Sequence, residues 1–302
     1  MPYFIQMTFD GHVRGYWLIE DTQATRLGVT NPENSPGGHF KAEPGETVWD
    51  AMRRGATSWF EGPHQDRFVQ TELNPGEYYP RIARPLNPGD SPGFSPLANH
   101  KSLTAMCRGQ LSALLRRLAT VCEIIHPAGR NMSAFGHEIR HLLILASTEA
   151  ESQWRSILEL NEYCRTHYNT NDYVKLSEPL RLREYTIEFG DYPWLGTFRP
   201  YERWGTTGRP TQELPWYEAY NFTKHDREGK FHEATLEFAF NAVAACVVIA
   251  CAQFGTHEAL GLGELRMAVY PVELPKWEPS QFYIGPFGGD SRAKPFPFTS
   301  RA

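Results

Sequence analysis

The sequence predicts an α+β fold that is mainly α: a four-helix core, a small N-terminal β-hairpin element and short accessory strands. Three observations predict it. Apolar residues recur at helical spacing through two long segments between residues 100 and 165, and again across 214–255. Apolar/polar alternation is confined to short stretches near the N-terminus and around 172–189. The 25 glycines and 23 prolines crowd into the first hundred and last fifty residues, so the ends are rich in loops.

Residues 3–9 and 12–19 read as two strands joined at Asp10-Gly11, a strong hairpin-turn signal. Residues 28–45 carry Gly, Pro and Asn and read as a loop. Residues 47–60 read as a short helix with Val48, Met52 and Trp59 on its apolar side. Seven prolines between 61 and 97 keep any structure there short. A long helix begins near Ser102, with Leu103, Met106, Leu111, Leu114, Leu118 and Val121 in register, and stops at His126-Pro127-Ala128-Gly129. A second runs over 133–164, without Pro or Gly after Glu138. About six residues join the two, which predicts an antiparallel helical hairpin. Residues 172–189 read as one or two strands, and 192–215 as a connector. Residues 216–224 read as a third helix with Pro215 in its first turn. Residues 231–254 read as a fourth helix entered through Gly229, and 267–272 as a short strand. The expected organisation is a loop-rich β/irregular region over 1–97, a helical core over 98–255 with a strand insertion at 172–189, and a Pro/aromatic-rich tail over 256–302 packed on that core.

Of the 302 residues, 41% are hydrophobic, enough for a sizeable core, and the net charge of −5 argues against a dedicated nucleic-acid coat while leaving room for local basic patches. Five cysteines (107, 122, 164, 246 and 251) form no C-x-x-C pair, which predicts reduced thiols in a cytoplasmic protein. The first residues lack a basic stretch followed by an apolar run, so no signal peptide is expected. The apolar run 238–254 is 17 residues long and contains Asn241 and Gln253. It reads as a central core helix rather than a membrane span.

The chemistry-bearing residues cluster where this helix begins. Lys224, His225, Asp226, Arg227 and His232 fall within nine residues. Arg227 and His232 are spaced R-x4-H, with Glu228 after the arginine. Arg130-Asn131 and His137 form a second pair, spaced R-x6-H. In a helical core this pattern resembles the HEPN superfamily, whose compact bundles carry an R-x(4–6)-H motif. The resemblance implies a metal-independent endoribonuclease, RNA as partner, a site often formed across a homodimer, no cofactor, and a toxin or antiphage-defence setting. Histidine can take or return the proton of a 2′-hydroxyl. Arginine can stabilise the extra charge on the phosphate in the transition state. Lys224 and His225 would add phosphate contacts, and Glu149 or Glu151 from the facing helix would orient the cationic pair.

Two other readings stand beside it. His137-Glu138-Ile139-Arg140-His141 spells H-E-x-x-H, and Glu162 follows 21 residues after His141. These residues resemble the Glu-ligand zincins, the thermolysin-like and aminopeptidase-like metallopeptidases. That resemblance implies zinc held by His137, His141 and Glu162, with Glu138 as general base. A continuous helix would, however, put Glu162 about 30 Å from His141. The third reading is a scaffold or interaction protein, in which Asp226 and Arg227 pair with Glu149, Glu151 or Arg155 only to lock helices together. Gly261-Leu262-Gly263-Glu264 and residues 286–290 read as turns. Trp154, Trp194, Trp204 and Trp216 either make a stacking surface for bases or fill a core beneath irregular connectors.

Overall fold

A computed structural model describes residues 2–55, 65–87 and 100–298. The chain falls into two units, one of residues 1–78, 84–90 and 277–293, the other of residues 79–83, 91–276 and 294–302.

The first unit is built on an antiparallel sheet. Its strands are β1 (Tyr3–Met7), β2 (Val13–Ile19), β3 (Gln23–Arg26), β4 (His39–Lys41) and β5 (Phe68–Gln70), in the order β4-β3-β2-β1-β5. The expected hairpin is present, but its turn is longer. The register slips between Gln6 and Met7, and Thr8 N donates to His12 O at 2.8 Å, with Gly11 left-handed (φ 84°) inside the turn. The segment read as a loop contains β4, whose Phe40 stacks on Trp17 (5.9 Å) in the core. Helix α1 (Val48–Gly55) buries Val48 and Met52 as expected; Trp59 lies outside the described residues.

Alternation along β1 sends neighbouring side chains to opposite faces. Phe4 joins Trp17, Phe40 and Met52, while Ile5 packs with Phe282 and Ile284. Residues 277–293 therefore belong with this sheet, although the sequence reading placed the whole tail on the helical core. Within the same unit, β6 (Glu77–Tyr78) pairs in parallel with Arg292–Ala293.

The second unit is helical. It comprises α2 (His100–Ile124), α3 (His137–Leu160), α4 (Thr170–Tyr173), α5 (Pro215–His225), α6 (Arg227–Lys230), α7 (Leu236–Phe254), α8 (Thr256–Leu260) and α9 (Glu264–Ala268). A small antiparallel sheet, β8-β7-β9, is formed by β7 (Thr186–Phe189), β8 (Thr197–Phe198) and β9 (Val269–Glu273). Helix α7 packs against α2, α3 and α5, and also touches β7 and β9. It is apolar on every side, the pattern of a helix surrounded by protein. By length and composition α7 is apolar enough to cross a membrane, but 83% of its most apolar stretch is buried inside this unit. Two polar side chains of α7 bond across to α3: Cys246 Sγ donates to Ala146 O (3.1 Å), and Gln253 Nε2 to Gln153 Oε1 (2.8 Å). The chain is thus α+β and mainly α.

Two boundaries differ from expectation for local reasons. Asn169 and Asp172 form a capping box, which turns the start of the expected strand region into α4. Only Thr186–Phe189 of that region becomes a strand. Thr235 caps α7, with its hydroxyl accepting from Phe238 N (3.4 Å), so residues 231–235 stay outside the helix.

Candidate functional site

Helix α5 ends at His225 because Asp226 leaves helical geometry (φ −129°) and its carboxylate accepts from Gly229 N at 3.0 Å, capping α6. Asp226 is therefore a cap, and does not pair with α3. Arg155, its other suggested partner, bonds Glu159 one turn along α3 (2.7 Å). Arg227 opens α6, and its side chain lies outside the described residues. His232 sits in the following 3₁₀ turn, with 59% of its side chain exposed and Nε2 3.6 Å from Glu233 Oε1. Lys230 Nζ approaches the same carboxylate at 3.4 Å.

The segment before α3 lies against this turn. Phe135 pairs with Thr235 in an isolated bridge, and Leu236 N donates to Ala134 O (2.9 Å). The Phe135 ring lies 6.4 Å from that of His232, and the His137 ring 4.9 Å from that of Phe231. His137 and His141 are exposed neighbours on α3, 6.4 Å apart. Arg140 donates to Thr223 O at 2.8 and 3.3 Å, placing a cation on the C-terminal turn of α5, where the helix dipole favours it. Both Arg/His motifs therefore reach one end of the helical unit. Arg130 and Asn131 are exposed in the 3₁₀ turn Gly129–Ser133, and the Asn131 amide is bonded to His126 O (3.0 Å).

The other expected residues stand on α5 and α3. Lys224 is exposed and donates to Tyr220 Oη at 2.9 Å. That bond raises the ammonium pKa against the opposing effect of partial burial. His225 is exposed beside it. Glu151 accepts from the Tyr217 hydroxyl in a short bond and from Tyr220 Oη at 3.4 Å. Burial, then this carboxylate, drives the Tyr217 phenol far above its ordinary range. Glu149 accepts from Gln153 Nε2 (2.8 Å), and Gln153 Oε1 in turn accepts from Gln253 Nε2. The carboxylates expected to orient the catalytic pair are thus engaged with tyrosines and glutamines. Fourteen residues of straight α3 separate Glu151 from His137, about 21 Å along the axis.

The zincin-like set is likewise divided. Helix α3 runs unbroken to Leu160, so Glu162 lies past the end opposite to His137 and His141. Glu138 reaches only toward His141, with Nδ1–Oε1 at 3.5 Å. Among the described residues no three His, Cys, Asp or Glu side chains converge on a metal position. Of the four tryptophans, Trp154, Trp204 and Trp216 are buried in one aromatic cluster, and Trp194 is exposed.

Sequence reasoning missed three groups. Tyr217 and Tyr220 read as apolar helix residues, and only their spacing toward Glu151 hints at a polar role. Arg81 lies in a Pro-rich stretch that reads as loop. It is 8% exposed, left-handed (φ 55°), and its Nε has no hydrogen-bond partner. Its guanidinium lies 5.6 Å from the Phe254 ring, and burial pulls its pKa down to about 10 while the charges of Cys107 and Glu149 oppose that. Compared with protein-family models, with curated proteins and with solved structures, the chain matches none.

Exposed imidazoles beside lysine and arginine suit proton transfer at a phosphodiester, the imidazoles exchanging protons and the cations holding phosphate.

Proposed function

We propose that the helical unit is a HEPN-like, metal-independent endoribonuclease that acts on RNA as a homodimer in the cytoplasm, in a toxin or defence role. Arg227 and His232 are its catalytic residues, and Lys224 and His225 contact phosphate. One observation carries the reading: the α5–α7 connection bearing Arg227 and His232 is packed on the segment bearing Arg130 and His137. Two Arg/His sets with exposed imidazoles thereby share one end of the unit.

In the proposed reaction, the His232 imidazole takes the proton of a 2′-hydroxyl. The 2′-oxygen forms a bond to the adjacent phosphorus while the bond from phosphorus to the 5′-oxygen breaks. The leaving 5′-oxygen receives a proton from a second histidine in its imidazolium form, for which His137, exposed on the packed segment, is available. The products are a 2′,3′-cyclic phosphate and a 5′-hydroxyl. Arg227 balances charge on the phosphoryl oxygens. Glu149 and Glu151 are given no part, because their carboxylates are turned to Gln153 and to Tyr217 and Tyr220.

The test is incubation with mixed RNA in EDTA. Cleavage is expected from the wild type, with a loss of about 10²–10⁴-fold in His232→Ala and in Arg227→Ala while circular dichroism is retained. RNA left intact at high wild-type concentration overturns the proposal. The Lys224–Tyr220–Glu151 chain favours the scaffold reading in that event, since it ties α5 to α3 without chemistry.

A further inference from the structure

We infer that the stacked pair His126–Trp194 is a platform for one nucleobase of single-stranded RNA beside the site; this rests on the ribonuclease reading. Trp194 is 54% exposed, whereas Trp154, Trp204 and Trp216 are essentially buried. Its indole stacks on His126 with centroids 5.3 Å apart and planes 28° apart. The indole N–H donates to Pro127 O at 2.7 Å, which fixes the ring without covering it. Tyr192 supports it edge-on at 5.9 Å. The pair is tied to the candidate site through one short segment. Asn131 bonds His126 O, Arg130 is exposed in the same turn, and the segment ends at Phe135 beside the His232 ring. What such a surface offers a nucleotide is a π face on which a base can stack. Paired bases have their faces covered by neighbours, so an unpaired base is the fitting occupant.

The experiment uses the full-length His232→Ala chain, silenced for cleavage, and a short fluorescent single-stranded RNA read by anisotropy. Adding Trp194→Ala is expected to weaken binding about 5- to 150-fold, the range for loss of one stacked base. Trp194→Phe keeps a ring but loses the N–H, and is expected to stay within about threefold. Unchanged binding in Trp194→Ala overturns the platform. So does a Trp194→Phe variant as weak as Trp194→Ala, because the bond to Pro127 would then be what matters. Wild-type cleavage, measured in parallel, separates the two layers. Cleavage with no effect of Trp194→Ala on binding sinks the platform alone. A wild type that neither binds nor cleaves RNA sinks the ribonuclease and the platform with it.

Discussion

Replacing Glu151 with Gln separates a structural role from a chemical one. The half-buried carboxylate holds two tyrosine hydroxyls, Tyr217 by a short bond and Tyr220 at 3.4 Å. A hydrogen bond to a charged acceptor contributes about 1.5–3 kcal/mol, and a neutral one about 0.5–1.5 kcal/mol. The amide can still accept from Tyr217, so the difference on that bond is about 1 kcal/mol or slightly more. The long Tyr220 bond adds a fraction of this. Glu151→Gln should therefore cost about 1–2 kcal/mol in urea unfolding followed by far-ultraviolet circular dichroism. RNA cleavage should stay within about threefold, because Glu151 lies about 21 Å along α3 from His137. Lys224 extends the chain through Tyr220 Oη. Its folded pKa lies above the ordinary 10.5, so its contribution is complete below that pH and is lost as pH rises through the folded value. Tyr220→Phe should bring the lysine titration back toward 10.5. Unchanged stability in Glu151→Gln, or cleavage falling more than about tenfold without loss of stability, would refute this placement of Glu151.

Gly190→Ala should lose about 3 kcal/mol or more, or fail to fold, because a Cβ there would stand 2.1 Å from Met267 O beside the β7–β9 ladder; an unchanged melting temperature would count against it. Arg81→Met removes a buried guanidinium whose Nε is unpaired, and should be neutral or stabilising by up to about 4 kcal/mol in urea titration; a loss above about 1 kcal/mol would reveal a partner. The Arg54 bond holds the Glu46 carboxyl down to about 2, so its contribution is present above 4.5 and disappears as pH falls through about 2. Carboxyl NMR should show that midpoint, moving toward 4.5 in Arg54→Ala. Iodoacetamide at about pH 8 should label exposed Cys164 and spare Cys107, Cys246 and Cys251 until the protein is unfolded, since burial raises all three buried thiols.

The long helices were legible because burial of one face repeats every three to four residues. Leu111, Leu114, Leu118 and Val121 mark α2, and Leu142, Leu143, Ala146 and Ala150 mark α3. The all-apolar run of α7 announced a helix surrounded by protein. What escaped depends on pairings distant in sequence. Ile5 finds Phe282 and Ile284, and Glu77 pairs with Arg292, and neither segment carries a local mark of its partner. Strand β4 is three residues long, too short for alternation to show against the surrounding Gly and Pro.

The site divides along the same line. Spacing singled out the α5–α7 connection as a candidate, because Arg227, His232 and their neighbours lie within one short stretch. It could not tell what Glu149 and Glu151 bond, because the face on which a helical carboxylate stands follows from its register and not from its proximity in sequence to a facing motif. Two residues apart on α3, these side chains point about 200° apart around the axis. Glu151 accordingly meets the tyrosines of α5, while Glu149 joins the glutamine chain toward α7. A carboxylate does stand at the turn itself: Glu233 Oε1 lies 3.6 Å from His232 Nε2. If Glu233 orients His232 in the proposed cleavage, Glu233→Gln should slow RNA cleavage at unchanged circular dichroism, because a carboxylate that holds the imidazole in place is lost. Cleavage at the wild-type rate leaves Glu233 in the structural role of a partner for Lys230.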